Sequence, residues 1–292
     1  MIEQLLAFAD EATLAGGLAL ALGCPLALVA RHAFPDGESK LTAPAQLPPN
    51  VALLRGLHQP NAKLAELLLL APACRELGAR RLTLVSPYLA YMRQDMAFNP
   101  GEVVSQRHLG ALLARSFDAV VTVDPHLHRI QSLAEVMPGC SAQALSAADL
   151  LGAWAAAHCR SPLLLGPDEE AAQWVARAAA SQGLEHGVCS KLRRGDRDVS
   201  VSLPALQFAG REVVLIDDVA STGRTLVEAA QAVYGAGAHS VDVAVTHALF
   251  VGDALVELAR AGVRHVWSTD SVPHASNVVS LAPLLAAALH QP

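Results

Sequence analysis

Val213 to Leu226 reads VVLIDDVASTGRTL: four aliphatics run into two adjacent acids and then into small and hydroxylated residues. That order predicts a strand ending near Ile216 that delivers Asp217 and Asp218 to the carboxyl edge of a parallel sheet, then a turn into a helix near Thr225. Ser221, Thr222 and Thr225 offer hydroxyls, and Gly223 lets the backbone approach a ligand closely. The new helix aims its first amide hydrogens, and the positive end of its dipole, at an anion. Two carboxylates beside such a cradle suit the neighbouring hydroxyls of a sugar, which donate where a carboxylate accepts. Phosphate plus diol reads as ribose 5-phosphate. An ordinary strand-to-helix turn capped by Ser or Thr has the same local pattern, and the stretch alone leaves both open.

The elements that must hold this loop are legible around it. Short aliphatic runs alternate with longer Ala- and Leu-rich segments, the pattern of parallel sheets covered by helices, so the class is α/β. Strands are predicted at Leu26 to Ala30, Val51 to Leu54, Arg81 to Val85, Ala119 to Val123, Leu163 to Leu165, Val213 to Ile216 and Val241 to Val245. Helices are predicted at Asn61 to Leu77, Gln106 to Ala114, Ala147 to His158, Glu169 to Gln182 and Thr225 to Gly235. A length of 292 residues favours two domains, and a composition dip through Pro138, Gly139 and Ser141 to Ser146 places the boundary so that the domains span 1–143 and 144–292. The two halves show no strong sequence repeat.

Composition excludes several classes of function. With 52% hydrophobic residues and only 4% aromatics, the interior is aliphatic and ample for a core. A net charge of −6 gives no basic face for nucleic acid, so any phosphate binding is local. Thr13 to Ala30 carries no charge, but Gly16, Gly17, Gly23 and Pro25 interrupt it, which predicts a helix followed by a buried strand rather than a membrane span. The first ten residues include Glu3 and Asp10 and no Lys or Arg, unlike a secretory signal. Five scattered cysteines without a C-x-x-C pair fit reduced structural thiols, and the expected location is the cytoplasm.

LIDDVASTGRT resembles the phosphoribosyl pyrophosphate (PRPP) loop shared by type I phosphoribosyltransferases and PRPP synthases. AFPDGESKL at Ala33 to Leu41, the long segment from Arg55 to Asp95 ending YMRQD, and VDPHLH at Val123 to His128 are similar, in order and spacing, to the synthase family. LGPDEEA at Leu165 to Ala171 and SKLRRGDRDV at Ser190 to Val199 continue the similarity, and FNPGEVVS after the Arg-Gln-Asp triplet resembles the archaeal-type branch. The resemblance implies two tandem phosphoribosyltransferase-like domains, the first with ATP motifs and the second with the PRPP loop and a catalytic lid. It implies transfer of the diphosphoryl group of ATP to the anomeric hydroxyl of ribose 5-phosphate, giving PRPP and AMP.

Attack at the β-phosphorus builds charge on anionic oxygens, so such a site needs magnesium and placed cations more than a covalent nucleophile. Lys191 and Arg193 match the family's catalytic pair, in a polar segment suited to a lid that closes on phosphates; the plainer reading is a solvated basic hairpin. Arg93 and Gln94 match the ATP-binding pair, and a guanidinium plane stacks on adenine. Phe34, Asp36, Gly37 and Glu38 form the FPDGE surface, with Phe34 covering the base and the acids accepting from its amine; a Pro-Asp-Gly turn with a buried Phe is the alternative. In the family this segment serves a neighbouring subunit's site, which implies a homo-oligomer, a dimer or larger, with shared ATP sites.

The resemblance further assigns Asp217, Asp218, Ser221, Thr222, Gly223, Arg224 and Thr225 to ribose 5-phosphate, and His126 and Asp168 to Mg2+. Glu169, Glu170 and Ala171 stand where the family usually has glycines. Two other readings remain: a non-catalytic synthase-like regulatory subunit, against which the intact Lys191, Arg193, Asp217 and Asp218 argue, and a phosphoribosyltransferase, which has no use for ATP motifs.

Overall fold

The computed structural model describes residues 1–127, 129–193 and 199–290, with backbone alone at 191–193 and 199–200. Two compact units divide the chain, one of residues 1–145 with 280–292 and one of residues 146–279.

The first unit carries β1 (Gln4–Phe8), α1 (Ala12–Leu22), β2 (Leu26–Ala33), β3 (Ser39–Thr42), β4 (Asn50–Leu54), α2 (Pro60–Glu76), β5 (Arg81–Ser86), α3 (Ser105–Ser116), β6 (Ala119–Val123) and β7 (Ser141–Leu145). They form one seven-stranded sheet ordered β3-β2-β1-β4-β5-β6-β7, parallel except for the β2–β3 pair. Every residue of β6 is buried, as expected for a strand covered on both faces. The helix-then-strand expectation for Thr13 to Ala30 gives α1 and β2, but β2 is not a buried strand. Beyond Val29 its residues are exposed, because there it leaves the sheet body to pair with β3.

The second unit carries α4 (Ala148–His158), β8 (Leu163–Gly166), α5 (Ala172–Gln182), β9 (His186–Val188), β10 (Ser190–Arg193), β11 (Val199–Ser202), β12 (Glu212–Ala220), α6 (Arg224–Gly235), β13 (Ser240–Ala248), α7 (Ala254–Arg260), β14 (Val266–Thr269) and β15 (Asn277–Val279). Its six-stranded parallel sheet is ordered β15-β14-β13-β12-β8-β9, and β10 and β11 make a separate antiparallel ribbon. Side chains of β12 alternate between two cores: Val213 and Leu215 pack with Leu226, Ala229 and Val233 of α6, while Val214 and Ile216 pack with α4 and α5.

The last helix, α8 (Ala282–Leu289), belongs to the first unit and packs on α1, where a Cβ on Gly17 would meet Ala282 Cβ at 3.2 Å. Residues 280–290 thus cluster with the amino-terminal half rather than with the half the sequence boundary gave them.

Though the sequence halves look unlike, their topologies repeat. In chain order β1, β2, β4, β5, β6 and β7 take the same places as β8, β9, β12, β13, β14 and β15. Each sheet therefore has a switch point where successive strands depart in opposite directions, between β1 and β4 in one unit and between β8 and β12 in the other. The carboxyl ends of strands flanking a switch point form the crevice in which open α/β sheets bind ligands.

Candidate active site

The predicted acids converge on the switch point of the second unit. Asp168 follows β8, and Asp217 and Asp218 lie on β12. The strand does not stop at Ile216. It stays paired with β13 through Ala220, opposite Ala248, so both acids sit within the last turns of the ladder rather than in a free loop. Asp218 is 3% exposed, and its amide donates to Asp217 Oδ1 at 2.9 Å. Burial, with the Asp218 and Asp168 carboxylates close by, holds the Asp217 carboxyl well above the usual carboxylate range. A buried Asp218 thus stands with the half-buried Asp217 and Asp168, and the mutual repulsion of the three is one that opposing donors or cations would relieve. The Asp168 carboxylate also caps the short turn Glu169–Ala171 by accepting from the Glu170 amide at 3.1 Å, which gives that acid a role in holding the segment where the family has glycines.

Beyond Ala220 the chain turns into α6 through Gly223, whose φ of 71° is the left-handed conformation that glycine adopts freely. No side chain caps the helix, so the ordinary Ser/Thr-capped turn is not what forms. Its first amides have no side-chain cap, the condition under which a helix end can receive an anion. Ser221, Thr222 and Thr225 make no hydroxyl hydrogen bond to protein among the described residues. Arg224 is exposed, with Glu228 3.7 Å away on the next turn. A half-buried Asp217 beside a buried Asp218, uncommitted hydroxyls and an uncapped helix end therefore occupy one edge.

Lys191 and Arg193 lie on β10, paired in register with Val201 and Val199 of β11. Their side chains, and the segment 194–198 that joins the two strands, lie outside the described residues.

The nucleotide candidates lie in the first unit. FPDGE is the tip of the β2–β3 hairpin, closed by Phe34 N–H to Glu38 O at 2.8 Å and Gly37 N–H to Phe34 O at 3.0 Å, with Gly37 at φ 95°. Asp36 Oδ1 accepts from the Glu38 amide at 3.1 Å, so the tip is a self-supported turn. Phe34 is 40% exposed, against the alternative of a buried turn phenylalanine, and its ring meets His32 edge-on at 4.8 Å.

Arg93 is exposed, and Gln94 Nε2 donates to Met96 O at 3.0 Å. Asp95 of the same triplet is buried and held by Arg129, whose Nη1 reaches both carboxylate oxygens at 2.7 and 2.8 Å. That clamp is absent from the sequence reading, since nothing in the spacing of residues 95 and 129 announces it. His126 stands two residues past Asp124, whose φ of 36° is strained for a non-glycine residue at the end of β6. His126 and Asp168 belong to different compact units. Among the described residues no three His, Cys, Asp or Glu side chains gather as a metal cluster.

The first unit's own switch point holds the largest surprise. Arg55, just past β4 at that switch point, is wholly buried. Its guanidinium bonds Asp10 at 2.9 Å, Glu11 at 2.9 Å and Glu66 at 2.5 Å, and stacks over Phe8 with 4.2 Å to the ring centroid. Lys63 Nζ donates to Gly56 O at 2.8 Å and lies against His58. Burial pushes the Lys63 ammonium down to about 8 and, with Lys63 beside it, the His58 imidazole down to about 4. Burial also raises the Glu11 carboxyl, despite the Gly56 amide and Arg55. The switch point that carries acids and an uncapped helix end in one unit carries an internal ion-pair network in the other.

Comparison with known proteins follows this division. Residues 4–116 match the family model described as the N-terminal domain of ribose phosphate pyrophosphokinase, and residues 143–276 match the phosphoribosyl transferase domain. The chain is 34% identical to the ribose-phosphate pyrophosphokinase of Methanopyrus kandleri, covering 97% of each chain. It is 36% identical to that of Halobacterium salinarum, covering 98% of this chain and 100% of the relative. A crystal structure of phosphoribosylpyrophosphate synthetase from Mycobacterium smegmatis superimposes with a TM-score of 0.84 at 23% identity, over 99% of this chain and 98% of that one, which shows the shared fold. With the two domain types in order along one chain and archaeal relatives matched end to end, the chain belongs to the ribose-phosphate pyrophosphokinase family.

Proposed function

We propose that the carboxyl edge of the second unit binds ribose 5-phosphate and that the protein is a ribose-phosphate diphosphokinase, moving the diphosphoryl group of ATP to the anomeric hydroxyl to give PRPP and AMP. One observation carries the site assignment: a half-buried Asp217 and a buried Asp218, mutually repelling, stand beside an uncapped helix N-terminus with uncommitted hydroxyls at Ser221, Thr222 and Thr225. Ser221, Thr222, Thr225 and the first amides of α6 hold the phosphate, Gly223 lets the backbone reach it, and Arg224 adds a nearby positive charge. Asp217 and Asp218 accept from the ribose hydroxyls and so fix the angle at which the anomeric oxygen meets the β-phosphorus.

Arg93 and Gln94, with Phe34, Asp36, Gly37 and Glu38, hold the nucleotide. The exposed hairpin tip favours delivery of Phe34 to a neighbouring subunit, hence a homo-oligomer with shared ATP sites. Lys191 and Arg193 are catalytic, placing cations against the transferring group as its charge moves toward AMP. The oxygen-rich edge suits Mg2+, which takes one or two protein ligands and completes its shell with substrate phosphates and water. Asp168, on that edge, would hold it, and bound there it would neutralise phosphate charge; His126, in the first unit, is the softer donor that the resemblance assigns to Mg2+. Five free thiols accord with a cytoplasmic protein.

The test is discrimination between ribose 5-phosphate and 2-deoxyribose 5-phosphate. Wild type should strongly prefer the ribose, and the preference should shrink in Asp217→Asn and Asp218→Asn while ATP affinity holds. Equal preference in all three proteins would remove the acids from sugar recognition.

A further inference from the structure

Next to the acid-bearing strand, β13 ends in a buried group of polar side chains that neither the motifs nor the proposed chemistry use. His247 is 2% exposed and Ser271, just past β14, is equally buried. Ser271 Oγ and Thr269 Oγ1 both donate to Thr246 O at 2.7 Å, and the Ser271 amide donates to Thr269 Oγ1 at 3.2 Å. His247 Nδ1 lies 2.9 Å from Ser271 Oγ. A hydroxyl has one proton, and a carbonyl oxygen only accepts. The Ser271 proton is therefore committed to Thr246 O, and the bond to His247 must run from Nδ1–H to Ser271 Oγ. This fixes the ring as a donor at Nδ1 and sets its orientation.

What the locked strand end supports is the phosphate loop. His247 pairs in register with Val219, and Ala248 with Ala220. Immediately beyond, the amides of Leu249 and Phe250 both donate to Ala220 O at 3.0 Å, and the Val251 amide donates to Ser221 O at 3.0 Å. The backbone entering Thr222 and Gly223 thus hangs on residues 247–251, whose start is tied through His247 and Thr246 to the segment carrying Thr269 and Ser271.

We propose that His247 and Ser271 are positioning residues for the phosphate-binding loop: the Nδ1–H to Oγ bond holds the end of β13, and the strand end holds Ala220 and Ser221 where the loop is competent to bind the sugar phosphate. The proposal rests on the assignment of that loop to ribose 5-phosphate. Neither residue acts on the reacting atoms.

Because the claim concerns the Nδ1 edge, two substitutions of similar size separate it from mere bulk. His247→Asn places an N–H near the Nδ1 position and His247→Gln places it near Nε2. Steady-state kinetics on the full-length protein should show KM for ribose 5-phosphate raised about tenfold in Ser271→Ala and His247→Gln, the loss of one buried hydrogen bond. His247→Asn should stay within roughly threefold of wild type, and KM for ATP within about twofold in all three. Long-range proton–nitrogen NMR should report the Nδ1–H form of His247 in wild type and a mixture of tautomers in Ser271→Ala. Thr222→Ala serves as the reference for the loop itself. If it raises KM for ribose 5-phosphate while Ser271→Ala leaves that value unchanged, the loop assignment stands and the positioning role is overturned. If Thr222→Ala also leaves it unchanged, the loop assignment has failed and the proposal with it. Equal losses in Asn and Gln variants, or equal effects on both substrates, would make the group a structural support only and overturn the proposal.

Discussion

Replacing Arg55 with Met tests whether the network at the first unit's switch point is an internal brace. The substitution keeps a long side chain of similar reach and removes the guanidinium that bonds Asp10, Glu11 and Glu66 from a wholly buried position. Glu66 keeps its bond to Arg31 Nη1 at 2.7 Å, so the buried Glu11 is the carboxylate left with least compensation. Breaking a buried ion pair from one side costs about 3–5 kcal/mol, since the remaining charge is left without compensation.

For a unit of this length each kcal/mol lowers the melting temperature by about 2–4 °C, so the expected fall is roughly 6–20 °C. The pH dependence has a definite sign. Burial raises the Glu11 carboxyl in the folded protein, so its protonation favours folding at low pH, and that contribution fades as pH rises through the folded-state value. Arg55 opposes this by stabilising the ionised form. Without it the effect grows, and the deficit of the variant should be largest near pH 8 and shrink toward pH 5. Differential scanning calorimetry of wild type and Arg55→Met at both pH values measures this. A fall at pH 8 of less than about 2 °C, the scale of an exposed pair, or a deficit that does not shrink at pH 5, would refute the reasoning.

Asp217→Asn should lose ribose 5-phosphate turnover and yet melt higher than wild type near pH 8, because ionising a carboxyl whose folded-state value is raised opposes folding; the gain should vanish at low pH, and thermal melts beside kinetics check both halves. Lys191→Ala should slow turnover by about 10²-fold or more with little change in substrate affinity, as measured by single-turnover assays. Mixing inactive Phe34→Ala/Asp36→Ala protein with inactive Lys191→Ala protein should restore activity through hybrid sites, provided subunit exchange is verified by mass spectrometry. Gly152→Ala should destabilise the second unit by about 1–3 kcal/mol in urea unfolding, since its Cβ would lie 2.3 Å from Ala178 O, where α4 meets α5.

How much of this was legible in the sequence varies with the physical cause. Val51 to Leu54 and Ala119 to Val123 announce themselves as aliphatic runs, and each lies within an observed strand, whereas the central, buried β1 (QLLAF) is not among the expected strands. Strands that run along the sheet edge or carry polar residues do not: β3 (SKLT), β7 (SAQAL) and β15 (NVV) read as loop because little of their surface enters a core. The continuation of β12 through Asp217 to Ala220 was hidden by the assumption that acids end a strand, whereas β13 pairs on alongside.

In the site, motif residues such as Asp217 and Gly223 are contiguous and could be read. The partners that hold them are distant in sequence: Arg129 lies 34 residues from Asp95, and Ser271 lies 24 from His247. The charge network escaped for a different reason. Asp10, Glu11, Arg55 and Glu66 look like an ordinary solvated set until the repeated topology places them together at a switch point. Duplication of the fold is likewise invisible in the residues, because one switch point carries adjacent acids and the other a buried ion-pair network.

Phosphorus NMR of the products formed from ATP and ribose 5-phosphate with Mg2+ tests the central claim most directly. Attack at the β-phosphorus predicts equimolar AMP and a product in which the intact diphosphoryl group is bonded to the anomeric carbon through oxygen, together with the unchanged 5-phosphate. ADP with a singly phosphorylated anomeric position, or no consumption of ribose 5-phosphate by folded protein, would contradict it.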